Sequence, residues 1–372
     1  MRIGVTGGDG FIGWHLRCRC LVTGEIEFVP LSRDVTTDLG HLAVSLRAVD
    51  AVVHLAGVNR GDDGEVEHGN VTAAESLVAG LVAAEFRGPV IYASSIHAGH
   101  DNPYGRGKAA AGRVLQSWSD QSGARLATLV VPHVFGEHGR PHYNSAVATF
   151  AYSIARGKTC DVNHDGGLEL IHVGEVCDAI ILGLKSGSGE QRLGGQAISV
   201  GEVFNRLADQ WAAYSRDELP ELEDKLALNL FNTLRSYAYP DFYPRRIELR
   251  SDPRGSLAEV VKCHSGGQMF FSTTRPGVIR GNHFHVNKVE RFCVVRGRAR
   301  IEIRRLFSGE IKSFEVAGDT PAYVDMPVLH THNIRNVGDG ELLTLFWSNE
   351  IFDPAAPDTC AHPVRLAGEG SL

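Results

Sequence analysis

Two groups of side chains in this sequence have the types and spacing of reaction chemistry. Tyr104 and Lys108 form a Y-x-x-x-K pair in the stretch YGRGKAAAGRVLQSWSDQ. On a helix, residues four apart share one face. A tyrosine of ordinary pKa, near ~10, is a poor acid–base group at neutral pH; a neighbouring ammonium favours the phenolate and lowers that value. Ser95, with Ser94 as the alternative, closes the preceding run PVIYASS and is placed to hydrogen-bond a substrate oxygen. The second group lies far along the chain. His283 and His285 alternate in GNHFHVNKVERFCVVRG, Glu290 follows and Gly297 closes the stretch, while DMPVLHTHNIRN adds His330 and His332. Alternate residues of a strand face one side, so His283 and His285 are expected to point together, with Glu290 joining from the next strand or turn. Two or three imidazoles with one carboxylate make a ligand set for Zn, Mn, Fe or Ni.

The start of the chain suggests what the tyrosine would act with. In RIGVTGGDGFIGWHL, Gly7, Gly10 and Gly13 sit between a strand and a helix, together with Asp9, Phe11 and Ile12. Such a turn needs unusual backbone angles and lets the backbone approach a dinucleotide pyrophosphate. Leu55 and Ala56, which end the run AVVHLAG, are assigned to the same cofactor site, and Lys108 is placed to hold the nicotinamide ribose. At the end of the second strand, where an acidic residue would accept hydrogen bonds from the adenosine ribose, the chain reads LSRD. Ser32 and Arg33 suit a 2′-phosphate and point to NADP; Asp34, one step further, leaves NAD open, and a solvated loop arginine is the alternative reading of Arg33.

These residues need scaffolds of two kinds. Up to about Tyr239, short β-type runs (RIGVT, EFVPLS, AVVHLAG, PVIYASS, RLATLVV) alternate with helical spacings. That alternation predicts an α/β, doubly wound parallel sheet covered on both faces. YPDFYPRRIELRSDPRGS then reads as a boundary, and short β-branched runs separated by turns follow it. They predict an all-β jelly-roll barrel. The expected division is residues 1–243 for the dinucleotide-binding domain and 244–372 for the metal-binding one.

A chain of 372 residues suits about two domains. Its formal charge of −7 argues against nucleic-acid or anionic-membrane partners. No run has the ~18 uncharged apolar residues of a membrane span, and the first residues enter a strand without a basic, apolar leader, so no secretion signal is expected. The seven cysteines form no C-x-x-C pair, which suggests reduced thiols in a cytoplasm.

Taken together, TGGDGFIG, HLAG, SS and YGRGK resemble an extended short-chain dehydrogenase/reductase over residues 1 to about 240. Eight residues separate Ser95 from Tyr104, fewer than is usual there, so the loop IHAGHDNP is expected to be tight. The pattern H-x-H-x4-E-x6-G followed by P-x4-H-x3-N resembles the two motifs of a cupin barrel. That match puts His283, His285, Glu290 and His332 in ligand positions and Asn336 in the closing position; Leu329 stands where the second motif has a glycine, and His330 matches no ligand position. The order of the two parts, with VVHLAGVNR, DNPYG, DPRGSLAE and NEIFDPAAPDT, is similar to the CapF family of bifunctional sugar-nucleotide enzymes.

That resemblance implies a UDP-linked 4-keto-6-deoxy amino sugar as substrate. A zinc-binding cupin would epimerise C3, and an NADPH-dependent reductase would then reduce the C4 ketone to a 6-deoxytalose-type product. A homodimer is the expected assembly. Arg280 and Lys288 flank the metal motif and either hold the substrate or are solvated surface charges. Three other readings are open: a reductase with a structural, dimerising cupin; a 4-epimerase or 4,6-dehydratase that recycles NAD; and a dinucleotide-sensing regulator.

Overall fold

The computed structural model describes residues 1–366. In chain order the first elements are β1 (Arg2–Thr6), α1 (Phe11–Thr23), β2 (Glu27–Leu31), α2 (Arg33–Thr37), α3 (Leu39–Arg47) and β3 (Ala51–His54). They are followed by α4 (Asp63–Ala83), β4 (Val90–Ser95), α5 (Pro103–Ser122), β5 (Leu126–Val131), β6 (His133–Phe135) and α6 (Ala146–Ala155). Then come β7 (Gly167–His172), α7 (Val173–Ser186), β8 (Gly189–Arg192), β9 (Gln196–Ser199), α8 (Val200–Tyr214) and α9 (Lys225–Ala238).

By packing, the chain divides into two units. One comprises Met1–Ser145 and Asp165–Val200; the other comprises Ala146–His164 and everything described from Gly201 onward. The first is a six-stranded sheet in the order β2-β1-β3-β4-β5-β8, every pair parallel. Its strands read as continuous apolar runs because both faces are covered. Ile91 packs into a cluster with Leu16 of α1 and Ile180 of α7. Its neighbours Val90 and Tyr92 point the other way, into a cluster with Leu42 of α3, Leu77 of α4 and Leu115 of α5. A buried carboxylate ties α1 to the start of α7, which His172 caps: Glu137 lies 3.3 Å from His172 Nε2 and 3.7 Å from His15 Nε2.

The second unit is built on two five-stranded antiparallel sheets. One runs in the order 245–246, 322–326, 290–296, 342–348, 268–274, and the other 311–317, 298–305, 330–336, 279–284, 360–361. The packing division differs from one at 243/244, and the reason is α8 and α9. Leu230, Phe231, Leu234 and Arg235 of α9 are all fully or nearly fully buried. Arg235 donates to the Met326 carbonyl at 2.5 Å, and Asn232 to the Asn287 carbonyl at 2.8 Å. The Tyr214 hydroxyl of α8 donates to Asp325 at 2.6 Å, and Asp325 also pairs through both oxygens with Arg291 at 2.7 and 3.0 Å. Removing one member of such a buried pair typically costs ~3–5 kcal/mol, so the helices and strands of this unit are held together by charge as well as by apolar area.

Candidate functional site

The glycine turn is forced by close approach. Gly7 has φ +69°, and a Cβ there would lie 2.7 Å from the Ala56 nitrogen; a Cβ on Gly13 would lie 2.5 Å from the Gly7 and Gly8 carbonyl oxygens. The turn is thereby pressed onto Leu55 and Ala56 at the end of β3. The Leu55 amide donates to the Thr6 carbonyl at 3.1 Å, and the Ala56 amide to the Thr6 hydroxyl at 3.3 Å. Gly10 stands just before α1, Phe11 and Ile12 pack their side chains against the core, and Asp9 is exposed. Amides at the start of a helix, with no side-chain cap over them, suit a pyrophosphate. Beyond β2, Arg33 is exposed at the first position of α2, and its guanidinium makes no hydrogen bond or ion pair among the described residues. Asp34 beside it accepts a hydrogen bond from the Ser32 hydroxyl, which holds its carboxyl below the usual range.

Ser95, Tyr104 and Lys108 converge at the carboxyl end of β4. The eight-residue connection is tight: Ala98 donates to the Ser95 carbonyl (2.9 Å), His100 to the His97 carbonyl (3.0 Å) and Gly99 to the Gly105 carbonyl (3.1 Å). Asn102 caps α5 by accepting from the Gly105 amide at 2.8 Å, and Pro103 occupies the first turn. Tyr104 is therefore fixed on the first turn of the helix, with Lys108 one turn on. Burial raises the tyrosine pKa, and a side-chain hydrogen bond with Ser95 works against the rise. Lys108, which burial pushes down to about 8, donates to the Ala93 carbonyl at 3.0 Å and lies 5.1 Å from the centre of the Tyr92 ring. Tyr104 is thus raised by burial rather than lowered as the Y-x-x-x-K spacing suggested, and the opposing influence comes from Ser95. Ser95 is buried against Tyr104, whereas Ser94 is associated with Tyr92.

In the second unit, His283, His285, Glu290 and His332 gather between the two sheets, with ligand atoms all within 4.8 Å of one another. His283 and His332 are direct cross-strand partners in one sheet, and Glu290 comes from the other. His285 lies just past its strand, its ring 5.1 Å from that of His283 and 5.2 Å from that of His332. The tautomers suit a cation. His332 Nδ1 donates to the His330 carbonyl at 3.1 Å, leaving a buried Nε2 without a hydrogen-bond partner. His285 Nδ1 donates to the Asp358 carbonyl at 2.6 Å, and its Nε2 lies 3.1 Å from Glu290. Burial and the neighbouring His332 and His285 push His283 down to about 3, so it is a neutral donor. Burial opposes ionisation of Glu290, but the His285 and His332 rings hold it well below the usual carboxylate range. Three imidazoles and one ionised carboxylate fit a divalent ion.

Leu329 takes φ +58°, the left-handed conformation that a glycine would adopt freely; its amide donates to the His285 carbonyl at 2.8 Å. A leucine there costs about 1–2 kcal/mol, which buried contacts must offset. Asn336 donates to the carbonyls of Thr274 and Gly340, both at 2.8 Å, and holds the end of its strand. His330 is buried and donates to the Val328 carbonyl. Arg280 hydrogen-bonds Thr274 Oγ1 and the Thr273 carbonyl, and Lys288 the Pro357 carbonyl, with Glu350 at 3.4 Å. Both cations are engaged within the protein.

Asp358 was not singled out from the sequence, although it lies in the stretch NEIFDPAAPDT. Its carboxylate accepts the amides of Val286, Asn287 and Lys288 at 2.8, 2.9 and 2.8 Å, while its carbonyl orients His285. Partners that orient a metal ligand typically matter by ~10–100-fold in affinity. Asp358→Ala keeps that carbonyl but removes the carboxylate that anchors residues 286–288 around it; affinity for added Zn²⁺, read by competition with a chromophoric chelator, is expected to fall within that range, and unchanged affinity would show that the carboxylate does not position His285.

Residues 3–201 match the NAD dependent epimerase/dehydratase family, and residues 250–360 match the polysaccharide biosynthesis C-terminal domain. Among curated proteins, UDP-2-acetamido-2,6-beta-L-arabino-hexul-4-ose reductase of Pseudomonas aeruginosa is 34% identical over 377 aligned positions, covering 100% of both chains. Among solved structures, the capsular polysaccharide assembling protein CapF of Staphylococcus aureus matches with 30% identity and a TM-score of 0.62, over 98% of this chain and 100% of that one. The chain belongs to the CapF family. UDP-glucose 4-epimerase of Thermus thermophilus, 22% identical with a TM-score of 0.51, covers 57% of this chain and 84% of that one, and shares the fold of the first part. For a CapF-family chain the two-part architecture is therefore regular: a Rossmann-type parallel sheet, then an antiparallel cupin. Among the described residues, no helix is long and apolar enough to cross a membrane.

Proposed function

We propose that the chain is a bifunctional sugar-nucleotide enzyme acting on a UDP-2-acetamido-2,6-dideoxy-4-hexulose. The cupin epimerises C3, and the Rossmann-type domain reduces the C4 ketone with NADPH. The product is a UDP-6-deoxytalose-type sugar, a precursor of N-acetyl-L-fucosamine for surface polysaccharide. The observation that carries this reading is the presence of two complete constellations in separate units: Ser95, Tyr104 and Lys108 at the end of β4, and three histidines with Glu290 between the sheets.

In the first domain Gly7, Asp9, Gly10, Phe11, Ile12, Gly13, Arg33, Leu55, Ala56 and Lys108 would hold the dinucleotide, which supplies hydride to C4. Ser95 holds the ketone oxygen by a hydrogen bond, and Tyr104 gives that oxygen its proton as the carbonyl becomes an alcohol. Lys108 fixes the ribose and offsets charge left on the phenolate. In the cupin, His283, His285, Glu290 and His332 would hold one divalent ion, zinc by preference. Such an ion supplies Lewis acidity toward a ketone oxygen, which makes the adjacent C3 proton removable; the proton returns on the opposite face.

Incubation with NADPH and the UDP-ketosugar in deuterated water tests both steps. NADP⁺ formation and deuterium at C3, seen by NMR, are expected together. NADPH consumption also separates this reading from a 4-epimerase or dehydratase that recycles its cofactor. Arg33 supports the NADPH preference because it is a guanidinium without a protein partner beside β2. Arg33→Ala is expected to raise the NADPH Kd by roughly tenfold or more, since a charge-assisted phosphate contact is often worth over ~1.4 kcal/mol. An unchanged NADPH-to-NADH ratio would reject the assignment.

The enzyme is a cytoplasmic homodimer in this reading. The strand Gln268–Thr274 lies at a sheet edge and exposes Met269, Phe270 and Phe271, with Ile351 and Phe352 also exposed. An apolar edge strand is a surface that association covers.

A further inference from the structure

Among the reductase-site residues described above, none is assigned to the diphosphate of the substrate. Arg60 lies in the loop that leaves the carboxyl end of β3, and Arg140 and Tyr143 lie in the loop that follows β6. The Arg60 Nε donates to Asn144 Oδ1 and its Nη1 to the His142 carbonyl, both at 3.1 Å. The Arg60 guanidinium lies 5.2 Å from the centre of the Tyr143 ring, and that of Arg140 lies 4.9 Å from the same ring. Two cations thus share one aromatic spacer. Neither has a carboxylate partner among the described residues, whereas Arg2, Arg19, Arg106 and Arg192 of the same unit are each paired with one.

The position of this clasp follows from strand order. β3 and β5 are the two neighbours of β4, and β6 follows β5 after one residue. A contact between the loops after β3 and β6 therefore spans the carboxyl end of β4, where Ser95 and Tyr104 sit. Both feet of the clasp reach that site. A Cβ on Gly57, three residues before Arg60, would lie 3.5 Å from Lys108 Nζ. The His133 ring lies 5.2 Å from that of His97, two residues after Ser95. Ligands of open α/β sheets bind outside the carboxyl ends of the strands.

Like charges converging without a carboxylate repel each other, and cation–π contacts at exposed sites offset only about 0.5–1 kcal/mol each. A diphosphate would relieve the repulsion, and its paired oxygens match the planar donor fork of arginine. The glycine turn already offers a place for the pyrophosphate of the dinucleotide, on the other side of β3 at the end of β1. We propose that Arg60 and Arg140, spaced by Tyr143, bind the diphosphate of the sugar-nucleotide substrate at the reductase site. This rests on the sugar-nucleotide reading above.

The test uses the full chain with Arg60→Gln, Arg140→Gln and the double substitution, with UDP as a competing probe. Each single change is expected to raise the KM for the UDP-ketosugar and the Ki of UDP together by about tenfold, the worth of one charge-assisted contact. The kcat and the NADPH Kd should stay within about twofold, which also shows that the fold is intact. Unchanged KM and Ki in the double variant would overturn the clasp as a diphosphate site while leaving the enzyme reading in place. A fall in kcat alone would also overturn it, because the arginines would then act on the reaction rather than on binding. Wild-type protein that neither turns over the UDP-ketosugar nor binds UDP would overturn the sugar-nucleotide reading itself.

Discussion

Tyr104→Phe should abolish NADPH oxidation while solvent deuterium still enters the sugar at C3. Removing the phenolic proton leaves hydride transfer with no donor for the developing alkoxide, and loss of a positioned acid typically costs about 100- to 10,000-fold. The change removes one oxygen from a side chain on the first turn of α5, so the cap from Asn102 and the helix itself should stand. NADPH binding, measured by fluorescence, should hold. The cupin site lies in the other packing unit and shares no residue with Tyr104. Complete loss of C3 exchange in a folded, metal-loaded Tyr104→Phe protein would place both steps at one centre and end the bifunctional reading.

The converse experiment removes the metal centre. His283→Ala with His332→Ala deletes a cross-strand pair of the ligand set. Metal content should fall from about one ion per chain to background. Outer partners of a ligand already matter by ~10–100-fold, so C3 exchange should drop by more than about 100-fold when two direct donors go. A ketosugar already epimerised at C3 should still be reduced. Metal content equal to wild type would sink the site. A single Glu290→Gln change offers a milder version, because it removes the charge and keeps the shape.

Much of this was readable in the sequence. The alternation of apolar strands with helices dictates a covered parallel sheet, and the later β-branched runs dictate a second, antiparallel part. Gly7 and Gly13 stand out because the turn needs them sterically. The gathering of His283, His285, Glu290 and His332 was legible because strand periodicity puts His283 and His285 together and because Glu290 and His332 follow at the spacing of the two motifs.

What the sequence did not reveal depends on contacts far along the chain or on burial. The direction of the Tyr104 pKa is set by how deeply the ring is enclosed, which no spacing of tyrosine and lysine discloses. Asp358 reaches His285 across 73 residues. Lys288 and Arg280 read as free cations until their carbonyl and hydroxyl partners are seen. The apolar positions of α9 announce a buried helix, but the pattern does not say that the strands beyond residue 243 bury it.

The membership of α6, α8 and α9 in the later unit bears on how the protein is made. Because Ala146–His164 belongs with segments from Gly201 onward, the polypeptide passes from one unit to the other three times. A nascent chain on the ribosome therefore exposes α6 well before α9, against which it packs, has been synthesised. The sheet unit is itself interrupted, and waits for Asp165–Val200 before β8 can join β5. The sheet unit has all its segments once Val200 is made, whereas the later unit, begun at Ala146, must wait for the segments from Gly201 onward. The same threading means that no single break in the gene yields two self-sufficient proteins, so the fusion is one that later evolution could not easily undo.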